Sequence, residues 1–253
     1  MYEGLNEFIL GVRPNQIREK VVIAPCWVPE TVGIAETKKI GDDSCKTWDC
    51  VIEDETFTYI VTGVGAAVCM DIVLALKNTI CKQILFIGSA GALVEEIKIG
   101  DFAVPNGMIS AEGASRYIGD YLVNDIYGKC FYAENELQRK LLLCLKNKSQ
   151  ELDINIYDGI GISVESILLQ YRHIDEFINL KCAFIDMEAS AFLAACNSVN
   201  IQGAVVFCIS DNTIRKEPLY KVTTEKTNYR KKVRNIIMPL VLKEFVYGFN
   251  ERD

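Results

Sequence analysis

Histidine is almost missing from this chain: its 253 residues contain one, His173. That excludes histidine-rich metal sites, and it leaves a His-based nucleophilic triad a single ring to use. His173 lies in the polar stretch Tyr171-Arg172-His173-Ile174-Asp175 with no Ser/Asp or Cys arrangement to pair with it, so it reads as a surface residue. Close cysteine pairs are missing too. Among Cys26, Cys45, Cys50, Cys69, Cys81, Cys130, Cys144, Cys182, Cys196 and Cys208 no two are spaced as CxxC. A zinc site or redox pair is therefore not expected, and the thiols read as reduced, several of them as small hydrophobes inside apolar runs.

Nor does the chain contain a stretch approaching the roughly 20 apolar residues of a membrane span. Met1 to Leu10 carries Glu3 and Glu7 and no basic region ahead of an apolar run, which does not read as a signal peptide and points to a cytoplasmic protein. Positive charge is in deficit: 27 Lys and Arg against 34 Asp and Glu give a net charge of −7 and a pI near 5.0. A nucleic acid or an anionic membrane is not the partner such a surface attracts. A small anion remains compatible, because a few local donors suffice for one.

What the sequence does contain is alternation. Val21 to Ala24 and Phe57 to Thr62 read as strands, followed by Gly63-Val64-Gly65 and a helical stretch from Ala66 to Asn78. Ile84 to Ile87 reads as a buried strand feeding a tight loop at Gly88-Ser89-Ala90-Gly91-Ala92, and Asp101 to Ser110 as a strand interrupted by Pro105-Asn106-Gly107. Glu134 to Lys148 is an amphipathic helix with Leu137, Leu141, Leu142 and Leu145 on one stripe. Tyr157 to Ser163 is strand-like, Met187 to Ser198 an Ala-rich helix, and Gly203 to Ile209 the strongest buried-strand signal. A last helix, Thr224 to Tyr247, has a basic face from Lys226 to Arg234 that reads as solvated. Strands alternating with helices over residues 1–253 predict a single α/β domain with a parallel or mixed sheet covered on both sides.

In such folds ligands gather beyond the carboxyl ends of strands, which singles out Gly88 to Gly91, Ser163 to Ser166 and Ser210 to Asn212. At the first, small residues let backbone amides and Ser89 approach an anion, or simply make a turn. Asp186-Met187-Glu188 is either an acidic cap on the following helix or a site where Glu188 grips a diol through charge-assisted hydrogen bonds. Ser210-Asp211 closes the most apolar strand. There Asp211 is either a buried carboxyl poised as a general acid or the N-cap of a turn.

Taken in order, Thr62-Gly63-Val64-Gly65, Ile87-Gly88-Ser89-Ala90-Gly91-Ala92, Ile99-Gly100-Asp101, Glu112-Gly113-Ala114-Ser115, Asp186-Met187-Glu188-Ala189 and Ile209-Ser210-Asp211 resemble the nucleoside phosphorylase superfamily. This group includes purine nucleoside phosphorylases, uridine phosphorylases and methylthioadenosine/adenosylhomocysteine nucleosidases. The resemblance implies a three-layer α/β/α sandwich around a mixed, partly barrel-like sheet, assembled as a homo-oligomer (dimer or hexamer). It also implies a nucleoside substrate with inorganic phosphate as co-substrate, and no metal or other cofactor. By the same resemblance Ser89, the amides of Ala90 and Gly91, and Ser210 bind substrate. Met187 packs under ribose and base, Val164 faces the base, Glu188 holds the ribose hydroxyls, and Asp211 protonates the five-membered ring of a purine.

The departures from the family pattern concern the anion. Phosphorolytic members carry Gly-Asp-Pro-x-Arg after the first strand, where this chain has Ala24-Pro25-Cys26-Trp27-Val28-Pro29-Glu30, and an arginine before the Gly-Ser loop, where it has Phe86. Each charge-assisted contact is worth about 1.5–3 kcal/mol, so losing both is expected to weaken phosphate binding severely unless other basic residues, Lys46 or Arg116 of this or a neighbouring subunit, substitute. The reading is thus a purine-leaning nucleoside phosphorylase. The alternatives are a nucleoside hydrolase in which Glu30 activates water, and a non-catalytic nucleoside-binding relative.

Overall fold

The longest apolar runs become the middle of one mixed sheet. The computed structural model describes residues 4–41, 46–119, 128–133, 135–152 and 154–248. Its elements are α1 (Leu5–Leu10), β1 (Lys20–Ala24), β2 (Glu36–Lys39), β3 (Lys46–Ile52), β4 (Glu55–Val61), α2 (Ala66–Leu76), β5 (Gln83–Ala92), β6 (Phe102–Ala103), β7 (Gly107–Ala111), β8 (Cys130–Tyr132), α3 (Glu136–Leu152), β9 (Ile156–Tyr157), β10 (Ile160–Val164), α4 (Ile167–Gln170), α5 (Ile174–Asn179), β11 (Phe184–Asp186), α6 (Ala189–Val199), β12 (Gln202–Asn212) and α7 (Thr224–Tyr247). Cys45 and Glu134 lie outside the described residues.

Period-two alternation in the central strands sorts side chains onto two faces. Ile84 and Phe86 of β5, with Val205, Phe207 and Ile209 of β12, pack against α1, α2 and α6. Leu85 and Ile87, with Val206 and Cys208, pack against Leu137, Leu141 and Leu145 of α3 and Val233, Ile237 and Val241 of α7. Helices on both faces make the three-layer α/β/α arrangement, and each fully buried Leu, Ile or Phe contributes about 1.5–3 kcal/mol.

Among the described residues the sheet has twelve strands and branches at β5. β12 runs parallel to β5 along one edge from Gln83 to Ala92. The other edge is shared: β1 pairs in parallel from Gln83 to Phe86, and β11 pairs antiparallel at Gly91 and Ala92. Residues 87–90 on that edge therefore lie in a gap between two neighbours of opposite direction, the kind of switch in strand order where α/β sheets open a crevice.

Several elements differ from the sequence reading. β5 does not end at Ile87 but continues through Gly88, Ser89, Ala90 and Gly91 to Ala92. Its glycines serve close packing rather than a turn: a Cβ on Gly88 would stand 3.1 Å from the Phe86 ring, and one on Gly91 3.0 Å from Ile185. Likewise β12 extends through Ser210, Asp211 and Asn212, so Asp211 is a strand residue and not a helix cap. The stretches read as single strands around Pro105 and Asp158 are each two strands, β6 with β7 and β9 with β10.

Candidate active site

A cavity of about 260 Å³ opens at the gap beside β5. Its floor is β5 itself: Ser89 is the one exposed residue in a strand whose other positions are buried or nearly so. The loop after β1 supplies Pro25, Cys26 and Trp27, and the segment joining β11 to α6 supplies Asp186, Met187 and Glu188. The end of β12 supplies Ser210 and Asp211, while Ile167, Gln170 and Leu219 stand across from them.

Asp211 reaches the cavity because of a bulge. Register between β12 and β5 runs Cys208↔Ser89 and Ile209↔Ala90, then slips so that Asp211, not Ser210, lies opposite Gly91. The extra residue shifts the alternation by one. Asp211 consequently takes the phase of Gly91 and Ser89, the face that carries Leu85 and Ile87 deeper in the strand. A Cβ on Gly91 would come within 3.1 Å of Asp211 Oδ2, so glycine leaves room for the carboxyl. Ser210 Oγ donates to Asp211 Oδ1 at 2.6 Å. Burial pushes the Asp211 carboxyl above the ordinary aspartate range, and the Ser210 hydroxyl, the charge of Arg230 and the Leu219 backbone pull the other way.

Asp186 and Glu188 divide two roles that the sequence left as alternatives for one motif. Asp186 Oδ2 accepts from the N–H groups of Glu188 at 3.0 Å and Ala189 at 2.8 Å, and Oδ1 accepts from Ser163 Oγ at 2.5 Å. It caps α6, whose N-terminal dipole favours its charge. Glu188 accepts from the Gly65 N–H at 2.7 Å through Oε1 and lines the cavity. Burial first, and the neighbouring Asp186 second, hold the Glu188 carboxyl well above the usual glutamate range. With three donors fixed on Asp186, the proton of the pair belongs on Glu188.

The cavity thus brings together Ser89, Gly91, Met187, Glu188, Ser210 and Asp211. It does not bring in the rest. Ala90 directs its side chain into the opposite core, Val164 closes β10 packed with Ile162 and Ile185, and neither lines the cavity. Glu30 sits exposed in the 3-10 turn Pro29–Val32, accepting from Thr37 Oγ1 at 3.3 Å, and is also absent from the lining. Lys46 lies on β3 and Arg116 in the 3-10 segment Ala114–Ile118, both away from the lining. Phe86 is 1% exposed, its ring 5.3 Å from that of Phe192 and 6.1 Å from that of Phe207, so its position is core and offers an anion nothing.

The basic face of α7 is not simply solvated. Arg230 lines the cavity, and the Arg234 guanidinium lies 5.3 Å from the centre of the Trp27 ring. The readable signal was the stripe Ile237–Val233 continued backwards: stepping four and then three residues from Ile237 arrives at Arg230.

A model of the phosphorylase superfamily matches residues 35–241. The chain belongs to the phosphorylase superfamily. No curated protein matches it in sequence. Solved structures that resemble this superfamily member include uridine phosphorylase from Vibrio fischeri ES114, alone and complexed with 6-hydroxy-1-naphthoic acid. Both are 20% identical, cover 92% of this chain and 93% of their own, and have TM-scores of 0.75 and 0.76. A P. knowlesi homologue of P. falciparum PNP is 19% identical over 92% of this chain and 93% of its own, with a TM-score of 0.69. These likenesses establish the phosphorylase fold. Among the described residues no helix is long and apolar enough to cross a membrane.

Proposed function

We propose that the chain is a nucleoside phosphorylase that cleaves the N-glycosidic bond of a nucleoside, a purine by preference, with phosphate, giving free base and ribose 1-phosphate. The observation that carries this reading is that Asp211 on β12 and Glu188 at the start of α6, twenty-three residues apart in sequence, line one cavity floored by Ser89. In this reading Asp211, whose carboxyl burial pushes above the ordinary aspartate range, delivers a proton to the departing base. As the bond opens, positive charge develops on the ribose. Glu188 accepts from the ribose hydroxyls, Met187 supports the sugar, and Ser89 donates to the anion that captures the anomeric carbon. Positioning and electrostatics do the catalysis, and the cavity is just below the usual range for drug-sized ligands, which suits a small substrate.

A second reading, capture by water, is favoured by the scarcity of cations in the lining: among the described residues Arg230 is its one basic side chain, beside the carboxyls of Asp186, Glu188 and Asp211. One assay separates them. The purified chain is incubated with inosine, adenosine, uridine and methylthioadenosine, with and without phosphate, and free base is measured. Base released only with phosphate is the expected result, and release independent of phosphate makes the chain a hydrolase. Binding without release from any nucleoside defeats both and leaves a non-catalytic relative.

A further inference from the structure

The loop after β1 and the position before Gly88 both lack the arginines expected for a phosphate site, yet the cavity contains a cation that neither motif announces. Arg230 is the only basic side chain in the lining among the described residues, and it arrives from the second turn of α7. Its neighbour on the same face has a structural role. Arg234 lies over the Trp27 ring, and Tyr59 Oη donates to the Trp27 carbonyl at 2.7 Å, so the two hold the loop after β1 in place. Arg230 has no such role. Among the described residues it makes no hydrogen bond and no ion pair, and its guanidinium is left half-buried beside Asp211 and facing the cavity.

We propose that Arg230 is the residue that holds a phosphate group in this cavity, the charge being supplied by the C-terminal helix instead of by the loop after β1. The inference rests on reading the cavity as a nucleoside site. The remaining polar side chains of the lining give an anion no positive charge to pair with, whereas a planar guanidinium with five donors is the group that binds phosphate bidentately. The same placement couples anion to acid. An unpartnered Arg230 favours the charged form of Asp211, which opposes proton donation. A phosphate group that occupies the guanidinium offsets that pull and leaves Asp211 better able to keep its proton until the anion is seated. The phosphate group has two possible sources, free inorganic phosphate or the 5′-phosphate of a nucleotide substrate.

The test is calorimetric titration of the full chain, wild type, R230Q and R230K, with three probes: inorganic phosphate, adenosine and adenosine 5′-monophosphate. R230Q is expected to weaken binding of a phosphate-bearing probe by about 10- to 100-fold, the worth of a lost charge-assisted contact, with adenosine affinity unchanged. R230K recovers part of the loss, because a point charge remains where the fork is gone. A loss confined to inorganic phosphate identifies the co-substrate as the source, and a loss confined to the monophosphate identifies the 5′ group. Equal affinity of wild type and R230Q for both anions overturns the proposal, as does wild type that binds neither. The base-release assay on wild type is independent of this. Release without phosphate defeats the phosphorylase reading while anion binding through Arg230 still stands or falls by titration.

Discussion

Two groups of buried carboxyls lie within this fold, and they differ in how many donors reach them. Glu112, at the end of β7, is 0% exposed and accepts from Ser110 Oγ at 2.9 Å, the Ser115 N–H at 3.1 Å, Ser190 Oγ at 2.9 Å and the Ser115 hydroxyl. It ties β7, the 3-10 segment Ala114–Ile118 and α6 into one unit, with Ser163 joining through the Ser190 N–H at 2.8 Å. Asp211 and Glu188 are each 6% exposed, almost as buried, but one accepts from Ser210 and the Leu219 backbone and the other from Gly65 and Met187, and both face the cavity. Burial alone thus separates nothing. A carboxylate met by four fixed donors inside the fold ties elements together, whereas one with fewer donors that faces a cavity keeps acceptor capacity for a ligand.

Substitutions should divide along the same line. The largest effect is expected from D211N, which should cut turnover of a purine nucleoside by about 10²-fold or more while leaving thermal unfolding unchanged or improved; wild-type turnover in this variant removes the acid assignment. E112Q should do the reverse. Placing an amide N–H₂ among the serine donors breaks a buried network at about 1–3 kcal/mol, roughly 3–10 °C in Tm, with kcat within a few-fold of wild type. A stable E112Q that has lost activity would erase the contrast. E188Q should raise the nucleoside KM about tenfold, since the amide has one acceptor oxygen to serve both the Gly65 N–H and the diol where the carboxyl has two. Steady-state kinetics with a 2′-deoxynucleoside sharpens this, because the variant should discriminate less against the missing hydroxyl.

The pH dependence has a definite sign. Folding raises the values of Glu188 and Asp211 above those of the unfolded chain. Their contribution is therefore complete below the ordinary carboxylate range and is lost as pH rises through the raised folded values. Unfolding midpoints of wild type should fall over that interval, and those of the D211N/E188Q double variant should fall less. The smallest effect belongs to E30Q, expected to match wild type in base release with and without phosphate. Loss of phosphate-independent release there would return Glu30 to the chemistry.

Much of the frame was legible because burial leaves a periodic trace. The runs that became β1, β4 and β12 and the leucine stripe of α3 were all visible, as was α7 from its first residue to its last. Ser89, Glu188 and Asp211 were visible as strand-end and helix-start residues. Less legible was anything decided by a neighbour distant in sequence. Gly88 and Gly91 suggest a turn locally, and only the Phe86 ring and the Asp211 carboxyl explain why they belong to a strand. Arg230 looks like any helix-surface cation until α7 is laid across the mouth of the β1 loop. Glu30 and Val164 sit at plausible positions in the chain, and the turn bonded to Thr37 and the packing of β10 take them elsewhere.

The extra residue at Ser210 gives the chemistry an unusual dependence on counting. Keep every residue but close the bulge, and Ser210 would stand opposite Gly91 while the carboxyl turned to the face of Ile209, away from the pocket, with the oily layers scarcely changed. In the proposed reading the proton donor therefore depends on the parity of one strand: a chain without Ser210 keeps the carboxyl opposite Gly91, whereas one further residue ahead of Asp211, with the bulge retained, carries it to the other face of an otherwise intact fold.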